Sequence, residues 1–267
     1  MKSVAIIGCG AICSELVRGF SEGIIGCKLI GLYDIYPEKC RDLVKKYGLG
    51  DVVVASSIKE LLDLGPDIIV EAASPDAVKE YALEIVSRGI DLVVLSVGAL
   101  LDKDFMERLR DALEKSGSRI IIPSGAIAGL DAIKALRLVG IDRVVLRTRK
   151  PPSSLKSKAN IDLEGISEPT VVFSGDSYRA VREFPVNINV SATLTIASGS
   201  PVHVEIIADP MVDKNIHEIE VYSRASHIRI TVENMPSPSN PRTSYLAALS
   251  ALNTLKTLCS MDKIVII

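Results

Sequence analysis

The sequence opens with MKSVAIIGCGAIC, residues 1–13, in which an apolar run leads into a glycine turn and then into a helical pattern. Residues 4–7 are apolar and rich in β-branched side chains, which is typical of a strand buried on both faces of a parallel sheet. Gly8 and Gly10 follow, and from Ala11 the apolar residues recur at helical spacing. A strand, a glycine turn and a helix in this order predict a pyrophosphate-binding turn, because the helix N-terminus offers free N–H groups and a positive dipole end.

The glycine turn predicts which residues contact a dinucleotide. Gly8 permits a tight turn, and Gly10 allows the backbone to approach the pyrophosphate closely. Ala11 and Ile12 open the helix and join the predicted cofactor-binding set. Cys13 stands where a third glycine is usual, and its small side chain is compatible with close packing of the helix on the strand.

A second apolar strand ends in Asp34, close to the separation of about 20 residues from the glycine turn at which a carboxylate binds the ribose hydroxyls. A carboxylate there repels a 2′-phosphate, so Asp34 favours NAD over NADP. Lys39 and Arg41 lie near enough in the sequence to soften that preference. The alternative is a strand–helix turn without a ligand, in which Asp34 opens a loop.

Length and charge limit the class of protein. A chain of 267 residues is long enough for one large domain or two modest ones. The net charge of −2 supplies no basic field, which argues against nucleic acid as a partner. No apolar run approaches the roughly 18 residues of a membrane span, and the N-terminus lacks the zones of a signal peptide. We therefore expect a cytoplasmic protein that binds no membrane.

The five cysteines include no CxxC pair, which favours reduced thiols over a disulfide framework. Cys9 and Cys13 could join the three histidines as metal ligands. Both cysteines lie in the glycine turn, however, where packing is the better explanation. We predict no metal site.

Strands and helices alternate through the first part of the chain. Further strands are predicted at residues 52–54, 67–75, 92–99 and 119–122. Helical patterns separate them, which requires right-handed crossovers and a parallel sheet. Because ligands bind such sheets at the carboxyl ends of the strands, Ala73 and Ser74 are predicted to contact the cofactor.

The pattern changes after Pro123, where strands follow one another with polar–apolar alternation. These strands predict a mixed or antiparallel sheet with one covered face, and they lie near residues 141–148, 170–174, 203–208, 217–223 and 228–233. An amphipathic helix over 244–258 is expected to return to the first domain. The predicted domains are a dinucleotide-binding domain (1–122), a smaller α+β substrate domain (123–240) and a returning C-terminal segment (241–267).

Three histidines are candidates for the proton donor or acceptor that nicotinamide chemistry needs. His203 and His227 fit structural roles within or at the start of a strand. His217 is predicted where a polar loop enters a strand, among acids and beside Asn215. Spacing alone leaves catalytic and structural roles for His217 equally open.

Other polar residues of the second domain have both a structural and a functional interpretation. Asn187 and Asn189 flank a predicted helix start, where they either cap the helix or bind substrate or nicotinamide. A predicted basic loop over 147–158 is either a solvated face or a means of holding an anionic substrate. Its basic residues are Arg147, Arg149, Lys150, Lys156 and Lys158.

Six blocks in the same order resemble the L-aspartate dehydrogenase family: GCGAIC, EAASPDAVKEYA, SGAIAGLDA, FPVNINVSATL, ADP…NIHEI and NPRTSYLAALS. The resemblance implies a Rossmann domain followed by a substrate and dimerisation domain, and a homodimer. It implies that His217 is the active-site histidine and that Ala126 and Asn189 contact NAD(P). Cys13 and Ala128 depart from the family's glycines, and neither change removes a reacting group.

The resemblance also implies a reaction, the reversible NAD(P)-dependent deamination of L-aspartate through iminoaspartate to oxaloacetate and ammonia. It places that reaction in NAD biosynthesis, with transfer of iminoaspartate to quinolinate synthase as a further step. We expect His217 to activate the water that attacks the imine, with Asp213 or Glu218 orienting its ring. The alternatives are a dihydrodipicolinate reductase-like or homoserine dehydrogenase-like enzyme, or a non-catalytic NAD(H)-sensing protein.

Overall fold

The computed structural model describes residues 1–155, 163, 165–184, 189–238 and 240–260. The chain divides into two compact units. The first unit comprises Met1–Pro123 and the segment that begins at Ala247, and the second unit comprises Ser124–Leu246.

A six-stranded parallel sheet forms the centre of the first unit. Its strands are β1 (Ser3–Ile7), β2 (Lys28–Tyr33), β3 (Val53–Val54), β4 (Ile68–Glu71), β5 (Asp91–Val94) and β6 (Ile120–Ile121). They are arranged in the order β3-β2-β1-β4-β5-β6, so the chain moves outward on one side of β1 and then outward on the other. This order confirms the predicted doubly wound sheet, and its switch point lies between β1 and β4.

Helices link these strands, and one more helix comes from the end of the chain. They are α1 (Ala11–Ser21), α2 (Pro37–Tyr47), α3 (Ile58–Asp63), α4 (Pro75–Ser87), α5 (Lys103–Ser116) and α9 (Tyr245–Cys259). Ala251, Leu252 and Leu255 of α9 are buried in the same apolar cluster as β1 and α1. A Cβ on Gly19 would lie 2.8 Å from Leu252 Cδ1, so α1 and α9 approach closely at this position. The predicted return of the last helix to the first domain is confirmed.

Two disulfides lie in the first unit, which corrects the expectation of reduced thiols. Cys9 in the glycine turn is bonded to Cys40 in α2, and Cys27 is bonded to Cys259 at the end of α9. Neither pair has a CxxC spacing, because the fold and not the local sequence brings the partners together. Cys13 is a free buried thiol, and burial raises its pKa above the ordinary value.

The second unit contains a five-stranded mixed sheet in the order β11-β10-β7-β9-β8, in which only the β7–β9 pairing is parallel. Its strands are β7 (Arg143–Lys150), β8 (Thr170–Asp176), β9 (His203–Ala208), β10 (Asn215–Tyr222) and β11 (His227–Asn234). The described part of this unit also contains α6 (Leu130–Arg137), α7 (Ser177–Glu183), α8 (Asn189–Ser198), and the short pair β12 (Pro236–Ser237) and β13 (Asn240–Ser244). The predicted α+β architecture is confirmed.

The two faces of this sheet differ in chemistry. Leu146, Ile206 and Ile219 lie on one face, in the core of the unit. On the other face Arg147 binds the carboxylates of Glu205 and Glu220, each at 2.9 Å. The predicted basic loop is therefore wrong over 147–150, which belong to β7, while Lys156 and Lys158 lie outside the described residues.

Candidate functional site

The glycine turn between β1 and α1 has a backbone that only glycine fits at its first position. Gly8 has a φ of 92°, and a Cβ added to it would lie 2.6 Å from the carbonyl oxygen of Ala72. The N–H of Gly8 donates to the carbonyl oxygen of Tyr33 at 2.7 Å, which ties the turn to the end of β2. The turn thus lies at the carboxyl ends of β1, β2 and β4, as predicted for a nucleotide site.

The N-terminus of α1 is open. Gly10 is its N-cap residue, and no side chain caps it within the described residues. No described atom lies within 4 Å of the position that a Cβ on Gly10 would occupy. Ala11 and Ile12 begin the helix at this point, so their N–H groups are orphan donors of the kind that bind phosphate oxygens.

Asp34 is held beside this turn by backbone donors. Its Oδ2 accepts from the N–H of Cys9 at 2.7 Å, and its Oδ1 accepts from the N–H of Tyr36 at 2.9 Å. Lys39 Nζ lies 3.9 Å from Oδ1. Each carboxylate oxygen can accept a further hydrogen bond, so the fixed side chain suits a ribose diol. The residues of the turn fit a dinucleotide.

Ala73 and Ser74, predicted cofactor contacts, already have hydrogen-bond partners within the first unit. The N–H of Ala73 donates to Glu71 Oε1 at 2.8 Å. The hydroxyl oxygen of Ser74 accepts from the N–H of Ala77 at 3.2 Å and caps α4. These two residues therefore contribute small side chains that leave room for a ligand.

Glu71, at the end of β4, is a buried acid that sequence reasoning missed. Besides Ala73, it accepts from the N–H of Leu95 at 3.3 Å, the N–H of Ser96 at 3.0 Å and the hydroxyl of Ser96 at 2.8 Å. Burial raises the pKa of Glu71 above its ordinary value, and these hydrogen bonds oppose that shift. The four donors fix the ends of β4 and β5 against each other.

In the second unit, His217 lies within β10 and is 3 % exposed. The strand predicted over 217–223 begins two residues earlier, at Asn215, so His217 lies inside the strand and not at its entry. His217 Nδ1 is 3.0 Å from the hydroxyl of Thr148, directly opposite on β7. Glu218, one residue on, lies on the other face with Arg149 at 3.7 Å, and Asp213 is exposed. Neither of the two acids expected to orient the ring does so.

Lys150 lies on the same face as His217, two residues beyond Thr148, and is buried. Burial lowers the pKa of Lys150 to about 8. Burial, together with the charge of Lys150, lowers the pKa of His217 to about 3. The imidazole is therefore neutral at pH 7, which is the state that a general base requires.

Ala126 precedes α6 and is buried, and its carbonyl oxygen accepts from Asn234 Nδ2 at 3.0 Å. Asn234 ends β11 and is a second residue that sequence reasoning did not single out. Asn189 is exposed at the first turn of α8. Asn187 lies outside the described residues.

Two features are absent from the described residues, a metal-ligand cluster and a membrane-spanning helix. No group of three or more His, Cys, Asp or Glu side chains is placed to hold a metal ion. In the same part of the chain, no helix is both long and apolar enough to cross a membrane.

The doubly wound sheet, its glycine turn and the acid after β2 define a dinucleotide-binding enzyme of the Rossmann type. Residues 8–123 match the family described as the NAD binding domain of homoserine dehydrogenase. Residues 131–258 match the family described as the C-terminal part of aspartate dehydrogenase. The class is that of the NAD(P)-dependent dehydrogenases.

Full-length relatives specify the family. The chain is 42% identical to L-aspartate dehydrogenase of Methanocaldococcus jannaschii over 99% of both chains. It is 42% identical to that of Methanothermobacter thermautotrophicus over 97% of this chain and 96% of the relative. The crystal structure of aspartate dehydrogenase from Thermotoga maritima is similar at a TM-score of 0.78 and 31% identity, covering 100% of this chain and 99% of that one. The chain belongs to the L-aspartate dehydrogenase family.

Proposed function

We propose that this protein catalyses the reversible oxidative deamination of L-aspartate to oxaloacetate and ammonia through iminoaspartate. The observation that carries the proposal is the buried, neutral His217 on the sheet of the second unit, in a chain that aligns end to end with L-aspartate dehydrogenases. We assign nucleotide binding to the first unit and substrate binding to the second.

His217 acts as the general base in this proposal. In this proposal Nδ1, which lies 3.0 Å from the Thr148 hydroxyl, carries the ring proton, so Nε2 is unprotonated and able to take a proton from the water that attacks the imine carbon. In the reverse direction, the protonated ring returns that proton to the departing hydroxyl. Thr148 fixes the ring plane, so the proton moves at a defined position.

The cofactor is held at the first unit's glycine turn. Gly8, Gly10, Ala11 and Ile12 would hold the pyrophosphate, and Ala73 and Ser74 would contact the cofactor. Asp34 binds the ribose hydroxyls, which favours NAD over NADP. Ala126 and Asn189 are assigned to the cofactor set on the strength of the family motifs that they occupy. The chemistry that a bound nicotinamide would supply is that of a hydride acceptor for the α-carbon of aspartate.

Lys150 is the basic residue best placed to bind a substrate carboxylate. Arg147 and Arg149 lie on the opposite face of the sheet, where acidic side chains bind them. Lys150 lies on the face of His217, and at pH 7 it is charged because its pKa, about 8, is above the pH. A buried cation beside the base suits a dicarboxylic substrate.

The cellular setting is also proposed. The resemblance of the motifs supports a cytoplasmic homodimer that serves NAD biosynthesis and passes iminoaspartate to quinolinate synthase. Size-exclusion chromatography with light scattering tests the dimer. Coupled formation of quinolinate from aspartate, with both enzymes present, tests the transfer.

The reaction is tested by following NADH oxidation at 340 nm with ammonia and oxaloacetate, pyruvate or 2-oxoglutarate. We expect rapid oxidation only with oxaloacetate and ammonia together, and slower oxidation of NADPH. Activity with a different oxo acid would support the same enzyme class but contradict the proposed substrate. Tight NADH binding without turnover of any of them would support the sensing alternative and contradict the proposal.

A further inference from the structure

The two polar atoms of the Asn234 side-chain amide differ in their hydrogen bonding. It is 2 % exposed at the end of β11, and its Nδ2 donates to the carbonyl oxygen of Ala126 at 3.0 Å. That bond fixes which way the amide points. Its Oδ1 is buried and has no hydrogen-bond partner among the described residues. A buried carbonyl oxygen without a partner is rare in a native protein and indicates a missing donor.

The sheet register places this oxygen near the proposed base. His217 is paired with Val232 across the β10–β11 ladder, and Asn234 is two residues further along the same strand, opposite Asn215. His217 and Asn234 therefore lie on the same face as diagonal neighbours, with about 7–8 Å between their Cα atoms. A single small molecule bound against this face can contact both side chains.

The chemistry of the substrate selects the group that binds there. An amide oxygen accepts hydrogen bonds and cannot bind a carboxylate, which is itself an acceptor. Both carboxylates of aspartate are acceptors at neutral pH, so its amino group is its one set of donors. The same holds for the N–H of iminoaspartate.

We propose that Asn234 Oδ1 accepts a hydrogen bond from the substrate nitrogen, as the amino group of L-aspartate and as the imine N–H in the reverse direction. This inference rests on the proposed function and adds the residue that holds ammonia nitrogen at the reacting carbon. Through its other end, Asn234 also positions the backbone at Ala126.

The test compares Asn234→Leu, which keeps the size and removes the acceptor, with Asn234→Asp, which keeps an acceptor oxygen. The measured quantities are kcat/KM for ammonia at saturating oxaloacetate and NADH, and the dissociation constant of NADH from fluorescence titration. We expect Asn234→Leu to lose about 10- to 100-fold in kcat/KM for ammonia, as for a lost hydrogen bond to a charged group. Asn234→Asp should stay within about tenfold of the wild type, and because both variants lose the Nδ2 bond to Ala126, their NADH affinities should agree with each other within about twofold.

Thr231→Ala is the matched control, because Thr231 is an exposed polar residue on the opposite face of the same strand. It should leave both quantities unchanged. If Asn234→Leu does not fold, Asn234→Ala makes the same comparison without a steric demand.

Two results would overturn the inference alone. One is an unchanged kcat/KM for ammonia in Asn234→Leu. The other is an NADH affinity that weakens in Asn234→Leu but not in Asn234→Asp, with normal use of ammonia, which would assign the oxygen to the cofactor amide. A wild-type enzyme that oxidises no NADH with oxaloacetate and ammonia would instead overturn the proposed function, and this inference with it.

Discussion

Glu71 in the first unit and the His217–Asn234 pair in the second are both buried polar groups on strands, yet they differ in how fully their hydrogen bonds are satisfied. The carboxylate of Glu71 accepts four hydrogen bonds from neighbouring backbone and hydroxyl groups. His217 shares one bond with Thr148, and Asn234 Oδ1 has no partner among the described residues. A buried polar group whose hydrogen bonds are all satisfied therefore supports structure, whereas one with an unsatisfied atom is available to a ligand.

The largest effect expected from this contrast is on catalysis. We predict that His217→Gln lowers kcat by about 10²–10⁴-fold, the range for loss of a general acid–base group. Reductive amination of oxaloacetate measures the loss, and circular dichroism shows whether the variant is folded. His203→Gln, a half-exposed histidine on β9, is the matched control and should retain activity. Equal losses of kcat in His217→Gln and His203→Gln would contradict the assignment of His217 as the general base.

Glu71 and its four hydrogen-bond donors form a saturated cluster, and a mutation there should lower the stability of the fold. Glu71→Ala leaves several buried donors without an acceptor, so we predict a loss of about 3 kcal/mol in the free energy of unfolding. Urea unfolding followed by circular dichroism measures it. Glu107→Ala, at an exposed position on α5, serves as the control and should change little. An unchanged free energy of unfolding in Glu71→Ala would mean that the number of satisfied hydrogen bonds does not distinguish Glu71 from the His217–Asn234 pair.

The buried histidine also predicts a dependence of stability on pH. The pKa of His217 is about 3 when folded, against 6.5 for an unperturbed histidine. Below pH 6.5 the unfolded chain binds a proton that the folded chain does not, so stability falls as the pH decreases towards 3. At pH 5 this contribution is about 2 kcal/mol.

Urea unfolding at pH 7 and pH 5 isolates that contribution when His217→Gln is compared with the wild type. Carboxylates titrate in both proteins and cancel in the difference. The variant should lose about 2 kcal/mol less between the two pH values. An identical pH dependence in both proteins would show that His217 has the same pKa in the folded enzyme as in the unfolded chain, which would contradict the lowered pKa.

The smallest effect is expected from one bond within the saturated cluster. Ser96→Ala removes the hydroxyl that donates to Glu71 Oε1 at 2.8 Å. The three backbone donors to Glu71 remain, so we predict a loss of about 1.5 kcal/mol, measured by the same urea unfolding. A loss as large as that of Glu71→Ala would place the stabilisation in the Ser96 hydroxyl and not in the carboxylate.

Much of the first unit could be predicted because its signals are local. The strand over residues 4–7, the turn at Gly8 and the acid at Asp34 follow one another along the chain, and each has a fixed place in a doubly wound sheet. The helix returning from the C-terminal end was predictable from its apolar spacing. Local periodicity also indicated the mixed sheet of the second unit.

What could not be predicted depends on cross-strand register and packing. Thr148 orients His217 because β7 and β10 pair in one particular register, which no spacing along the chain reveals. The unsatisfied oxygen of Asn234 exists only once the surrounding side chains are packed. The disulfides were missed for the same reason, since Cys27 and Cys259 are 232 residues apart and meet only in the fold.

That last disulfide has a consequence for the integrity of the molecule under proteolysis. It closes the polypeptide between Cys27 and Cys259, a sequence separation of 232, into a covalent ring. A single peptide-bond cut anywhere between them opens the ring without releasing a fragment. Under oxidising conditions the nicked enzyme keeps its full mass and both halves of its first unit joined, and only reduction separates the pieces.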